Sequence, residues 1–162
     1  MTYLQTNRLV LRNLNKSDLS ALMGIRNDAL CAKYQRWDDT TEEAISAMIE
    51  RHEADIFPSL NDVQRYAISL PCGCFIGDVT VFYTQEDNCF TLGITVDPNH
   101  QREGYAFEML QQVVLSLKQK YPTTELVALI HPDNQASKAL FRKLGFTFEC
   151  YAKSIDSDVF TL

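Results

Sequence analysis

Residues 89–130 leave the fewest options for a fold. A strand-like run, 89–96, gives way at Asp97-Pro98 to a polar loop holding Gly104. From Tyr105 to Lys120, Ala106, Met109, Leu110, Val113, Val114 and Leu117 then recur at helical spacing. Lys118 and Lys120 occupy the last turn, where cations suit the helix dipole, and Tyr121-Pro122 ends the helix. The next apolar run, 126–130, is short and continuous, as in a strand buried on both faces. A helix of this length between two strands is a crossover, which commits the chain to an α/β mixture built on a sheet.

The remaining elements fill in around that unit. Leu9 and Leu11 alternate with arginines in a strand at 8–14, after which Asn15 and Asp18 stand in a box-like relation ahead of Leu19, Leu22, Met23 and Ile25. Thr40 and Glu43 repeat that start signal before Ala44, Ile45, Met48 and Ile49, giving a second helix that fades before Pro58. Segments 64–70, 74–83 and 89–96, separated by short turn-like connections, read as an antiparallel meander. After 126–130 come a helix over 134–144, ended by Gly145, and two closing strands at 146–152 and 159–162. The sum is one domain over 1–162: a mixed, mostly antiparallel seven-stranded sheet flanked by about four helices.

Composition narrows the partners. The 162 residues are 46% hydrophobic, enough for a core without disulfides or a structural metal. A net charge of -6 with no compensating basic block argues against nucleic acid and anionic lipid. Five scattered cysteines suit a reducing compartment, with cytoplasm the default, and Cys72-Gly73-Cys74 lacks the second pair a zinc site needs, so no metal is expected. No apolar run approaches the roughly 20 residues of a membrane span, and no leader pattern opens the chain, which is expected to be a whole soluble protein.

The loop before the long helix has two readings. Gly104 could serve an ordinary turn. It could equally open a diphosphate cradle, because a helix N-terminus offers unpaired N–H groups, glycine lets a phosphate approach the backbone, and Ala106 keeps the first turn thin. Neither the Walker pattern nor G-x-G-x-x-G is present.

Here the chain resembles the GCN5-related N-acetyltransferases, whose cofactor loop Q/R-x-x-G-x-G/A is matched by Gln101, Gly104 and Ala106. The stretch "NQASKALFRKLGF", 134–146, is similar to the family's N-x-x-A/S-x-x-L-Y/F-x-K-x-G-F block, and "TNRLVLR", 6–12, looks like the entry of the ribosomal-protein-alanine acetyltransferase branch. That branch's usual Gly-Tyr-Trp in the fourth strand is here Gly93-Ile94-Thr95.

The resemblance implies transfer of acetyl from acetyl-CoA to a primary amine of a small molecule or protein N-terminus by direct attack. The pyrophosphate would lie on the backbone of Arg102, Glu103, Gly104, Tyr105 and Ala106, with Gln101 completing the loop, and the pantetheine arm along Ile94, Thr95 and Val96, where the fourth and fifth strands of the family splay apart. Asn134, Ser137 and Phe141 would face the cofactor. A homodimer is compatible with the family.

Chemistry requires an acid for the thiolate and a base for the amine. The family's tyrosine acid is replaced by Phe141, which leaves Ser137 as its substitute or as a small packing residue bonded to its own helix. His131, of the residue type that titrates near neutral pH, is the candidate base or a structural strand-end residue; Glu149 and Asp78 are weaker options of the same kind. His52 and His100 read as solvated. Trp37, Asp38 and Asp39 would line the acceptor side and favour cationic amines, or simply cover the core and face solvent. The missing tyrosine and strand glutamate also motivate an alternative, a catalytically weak acetyl-CoA-binding sensor or partner module.

Overall fold

The strand expected at 8–14 is one arm of a hairpin. In the computed structural model, which describes residues 1–37, 39–60 and 63–162, Thr2–Gln5 (β1) pairs antiparallel with Val10–Asn13 (β2). Their turn closes through Thr6 N to Leu9 O at 2.9 Å and Leu9 N to Thr6 Oγ1 at 2.9 Å. The first strand escaped the sequence reading because TYLQ alternates too briefly to show a period.

Asn15 and Asp18 form the expected capping box on a short 3-10 turn that leads into Leu19–Asn27 (α1). Asp28 then caps an additional one-turn helix, Ala29–Ala32 (α2), accepting hydrogen bonds from Leu30 N and Cys31 N. Glu42–His52 (α3) starts one residue later than expected. Thr41 is its N-cap, because the hydroxyl of Thr40 is drawn to Asn27 Oδ1 at 3.0 Å while the Asp39 carboxylate accepts from Thr41 N at 2.9 Å.

The meander appears as Gln64–Ser69 (β3), Phe75–Thr84 (β4) and Cys89–Val96 (β5). Tyr105–Lys120 (α4) crosses to Glu125–Ile130 (β6), which lies parallel to β5. Gln135–Lys143 (α5) ends in a Schellman turn, with Phe146 N on Phe141 O at 3.0 Å, Gly145 N on Arg142 O at 3.0 Å, and Gly145 at φ +97. The chain closes with Thr147–Ala152 (β7) and Ser157–Thr161 (β8).

All strands join one eight-stranded sheet in the order β1-β2-β3-β4-β5-β6-β8-β7, with β5 and β6 the parallel pair. Side chains alternate across it. Tyr66 and Ile68 face a large core with α4 and α5, whereas Ala67 faces a smaller one with α1, α2 and α3. No helix among the described residues is long and apolar enough to cross a membrane.

Candidate active site

The β5–β6 ladder stops short. Its last pair is Thr91 with Val127, although β5 runs on to Val96 and β6 to Ile130. On its other edge β5 stays in unbroken register with β4 as far as Val96 opposite Gly77, and Asp97 N continues the series onto Ile76 O at 2.8 Å. Antiparallel hydrogen-bonded residues alternate. Asp97, Thr95 and Gly93 therefore turn their backbone groups toward β4, and Ile94 and Val96 turn theirs toward the gap.

Gly77 permits this edge to exist. A Cβ there would collide with the Thr95 carbonyl oxygen and come within 3.0 Å of Val96 Cα, so only glycine lets β4 approach so closely. Nothing in the sequence singles it out.

The gap opens into a groove of about 600 Å³. Ile94, Thr95, Val96, Gln101, Arg102, Gly104, Tyr105, Ala106, Asn134 and Ser137 all line it, so residues 40 positions apart meet as the motifs imply. Its charged lining residues are Arg102 and Lys143, and no carboxylate among the described residues joins them, in a chain of net charge -6. A wider hollow of about 780 Å³ over α1 contains none of the expected residues.

Gln101 pins the loop to the strand: its Nε2 donates to Val96 O at 2.9 Å. Arg102 and Gly104 both take positive φ, +64 and +81, and Gly104 is the N-cap of α4. From beneath, Arg8 binds Glu108 at 2.7 Å and donates through Nη1 to Glu103 O at 3.0 Å, with its guanidinium 4.5 Å from the Tyr105 ring centre. Burial would raise the Glu108 pKa, but hydrogen bonds from Thr6 and Arg8 and the charge of Arg8 hold it below the usual carboxylate range. Glu103 itself does not line the groove.

On the α5 side, Asn134 caps the helix by accepting from Ser137 N at 3.1 Å and also lines the groove, so both expected placements hold at once. Ser137 Oγ makes no hydrogen bond to any described residue, which leaves its hydroxyl uncommitted to its own helix. Phe141 does not line the groove. It is 3% exposed and packs edge-on against Phe146, because the inward stripe of α5 carries it into the large core.

His131 stands beside the groove residue Tyr34, ring centres 5.1 Å apart. Its Nδ1 accepts from Asp133 N at 3.1 Å, which in the neutral ring places the proton on Nε2. His100, expected in solvent, is half-buried and lines the groove; His52, also expected in solvent, is buried against Asp55 at 2.8 Å. Cys31, buried in the groove wall, has its thiol pushed up to about 11 by burial and by Asp28.

Trp37 and Asp39, expected on the acceptor side, do not line this groove; Trp37 is half-buried and packs against the smaller core. Arg26 Nη2 lies 2.9 Å from Asp78 Oδ2 and Arg65 Nη1 2.5 Å from the same oxygen, and Trp37 covers Arg26 with 4.2 Å from ring centre to guanidinium. Burial alone would raise the Asp78 pKa, but the two guanidinium groups hold it below the usual range, so Asp78 is a paired structural carboxylate rather than a free base. Burial in turn lowers Arg26. Asp39 is exposed, with hydrogen bonds from Thr41 lowering its pKa; Asp38 lies outside the described residues. Glu149 is exposed on the edge strand β7. No group of three metal-ligating side chains occurs among the described residues.

A strand pair that separates beside a glycine-bearing helix start defines a class, and comparison with known proteins agrees. Residues 8–147 match the model of the acetyltransferase (GNAT) domain, and the chain belongs to that family. It is 23% identical over 152 residues to the uncharacterized N-acetyltransferase YnaD of Bacillus subtilis, covering 93% of this chain and 86% of the relative. Among solved structures, the ribosomal L7/L12 alpha-N-protein acetyltransferase RimL in complex with coenzyme A superposes with a TM-score of 0.84 at 18% identity, over 100% of this chain and 97% of that one. Spermidine N-acetyltransferase from Vibrio cholerae, in complex with CoA and spermine, gives 0.76 at 18% identity, over 96% and 94%. The chain is thus an N-acetyltransferase by family, with the mixed α/β fold expected and one strand more than the sequence displayed.

Proposed function

We propose that the chain transfers acetyl from acetyl-CoA to a primary amine by direct attack, in the groove between β5 and β6. The open edge of β5 at Ile94 carries this reading. A pantetheine arm bears amides that can pair with that edge as a surrogate strand, and the Ile94 N–H can polarise the thioester carbonyl. Backbone from Arg102 to Ala106 would receive the pyrophosphate, and the absence of carboxylates from the described lining favours an anionic donor. In the transfer the amine nitrogen forms the new bond to the carbonyl carbon as the C–S bond breaks. Ser137 Oγ passes a proton to the thiolate and is reprotonated from solvent, and the amine's proton leaves on the His131 side by way of solvent. The amine enters from the side of Trp37 and Asp39, beyond the groove's own lining. YnaD is an N-acetyltransferase by name, and of the two superposed enzymes one is a protein α-N-acetyltransferase and the other a spermidine N-acetyltransferase with spermine bound, which supports an amine acceptor of either size. The free cysteines suit a reducing compartment, taken here as the cytoplasm. A thiol-release assay across peptide N-termini, amino acids and polyamines tests the reading: acetyl-CoA should be consumed with at least one amine class, and binding without turnover on any class would contradict transfer.

A further inference from the structure

Arg8 touches nothing that reacts, yet five contacts converge on it from the loop and the first turn of α4. Its Nε donates to Glu108 Oε2 at 2.7 Å, Nη2 forms an ion pair with the same oxygen at 2.7 Å, and its backbone N–H donates to Glu108 Oε1 at 3.0 Å. The Tyr105 ring lies against its guanidinium, and Nη1 holds the Glu103 carbonyl at 3.0 Å. That last bond has a consequence for the opposite side of the same peptide. In a planar trans peptide the C=O and the following N–H point in opposite directions. With Glu103 C=O fixed on Arg8, the Gly104 N–H must point away from Arg8, and Gly104 lines the groove while Glu103 does not.

This peptide is also the one in the loop most able to turn over. Gly104, at φ +81, can take φ of either sign, so rotation of the Glu103–Gly104 plane meets little steric resistance. A flipped plane would present a carbonyl oxygen where an anion is to bind. We infer that Arg8 is a positioning residue that locks the Glu103–Gly104 peptide with its N–H toward the donor's pyrophosphate. The inference rests on the acetyl-CoA reading above.

The test uses the full chain, with Arg8→Met and Glu108→Gln compared with wild type. Methionine keeps the apolar stem but cannot donate, so acetyl-CoA should bind about 10-fold more weakly, the worth of one charge-assisted hydrogen bond. The loss should appear in KM for acetyl-CoA and not in kcat or in KM for the amine. The Gly104 amide resonance, shifted by coenzyme A in wild type, should no longer shift. Glu108→Gln lowers the melting temperature comparably but leaves Arg8 donating to Glu103, so its affinity should stay within about threefold of wild type. A folded Arg8→Met protein with wild-type affinity overturns the inference, and so does an equal loss in both variants, which would mean that hairpin docking rather than peptide orientation matters. Wild-type protein that fails to bind acetyl-CoA would remove the functional reading itself.

Discussion

Two arginine–carboxylate pairs, one under the 101–106 loop and one under Trp37, work in opposite surroundings. Beside the loop, Arg8 and Glu108 keep side-chain exposures of 46% and 20%; behind Trp37, Arg26 and Asp78 have 3% and 1%. On the proposed function the difference follows from what each pair supports. The loop offers backbone N–H groups, so its side chains need only orient the peptide, and a solvated pair suffices. Trp37 lies over Arg26 at the edge of the smaller core, and it stays in place only if something rigid lies behind it. A buried carboxylate between two guanidinium groups is rigid because removing any member strands a charge in a dry place.

Breaking the buried cluster should therefore have the largest effect. Asp78→Asn is expected to lower stability by about 3–5 kcal/mol, measured by urea unfolding, because Arg26 loses its ionic partner while buried. The pH dependence follows in sign. The folded-state pKa of Asp78 lies below its unfolded value of about 3.9, so its contribution is fully present above that value and is lost as pH falls through the folded-state pKa. Wild type should accordingly lose stability on acidification below about pH 4, and Asp78→Asn should flatten that limb.

The loop should respond in affinity rather than stability. Gly104→Val should weaken acetyl-CoA binding roughly 100-fold by calorimetry in a folded protein, because a β-branched residue resists φ +81 and its methyls would occupy the phosphate's space. The nearest atom to a Cβ at 104 is Arg8 Nη2 at 3.5 Å, so conformational strain and the lost ligand space, not crowding in the free protein, decide the outcome.

Gly77→Ala tests the open strand edge. The new Cβ would press on the Thr95 carbonyl and displace β5 toward the gap, lowering stability by about 2 kcal/mol with a parallel loss of acetyl-CoA affinity. Smallest of the set is Ser137→Ala. It should reduce kcat by roughly 10- to 100-fold, near the low end for a general acid because the coenzyme A thiolate leaves with little help, and should leave acetyl-CoA affinity alone.

The same contrast explains what could be read beforehand. The loop was legible because the work proposed for it falls on backbone: a glycine, an alanine and a glutamine at fixed spacing are the trace that such a site leaves. The helix period of 105–120, the meander and the Gly145 stop were legible for similar local reasons. The Arg26–Asp78–Arg65 cluster joins residues 52 and 13 positions apart, a juxtaposition that only the folded sheet creates. Arg8 stood inside a quoted motif without a role, since its partners Glu103 and Glu108 lie about a hundred residues away. Phe141 was placed on the cofactor face by helical spacing, but α5 is turned so that its stripe reaches the core. His52 and His100 looked solvated because sequence shows polarity and not the neighbours that cover it.

Amide exchange at Ile94 tests the donor site most directly. Its N–H faces the gap beyond the last β5–β6 pair, whereas the Thr95 N–H faces β4. Saturating acetyl-CoA should slow exchange at Ile94 by about tenfold or more as the pantetheine arm pairs with the strand, and should leave Thr95, already protected, nearly unchanged. Unaltered exchange at Ile94 in protein shown to be saturated with acetyl-CoA would contradict a donor lying along the open edge of β5.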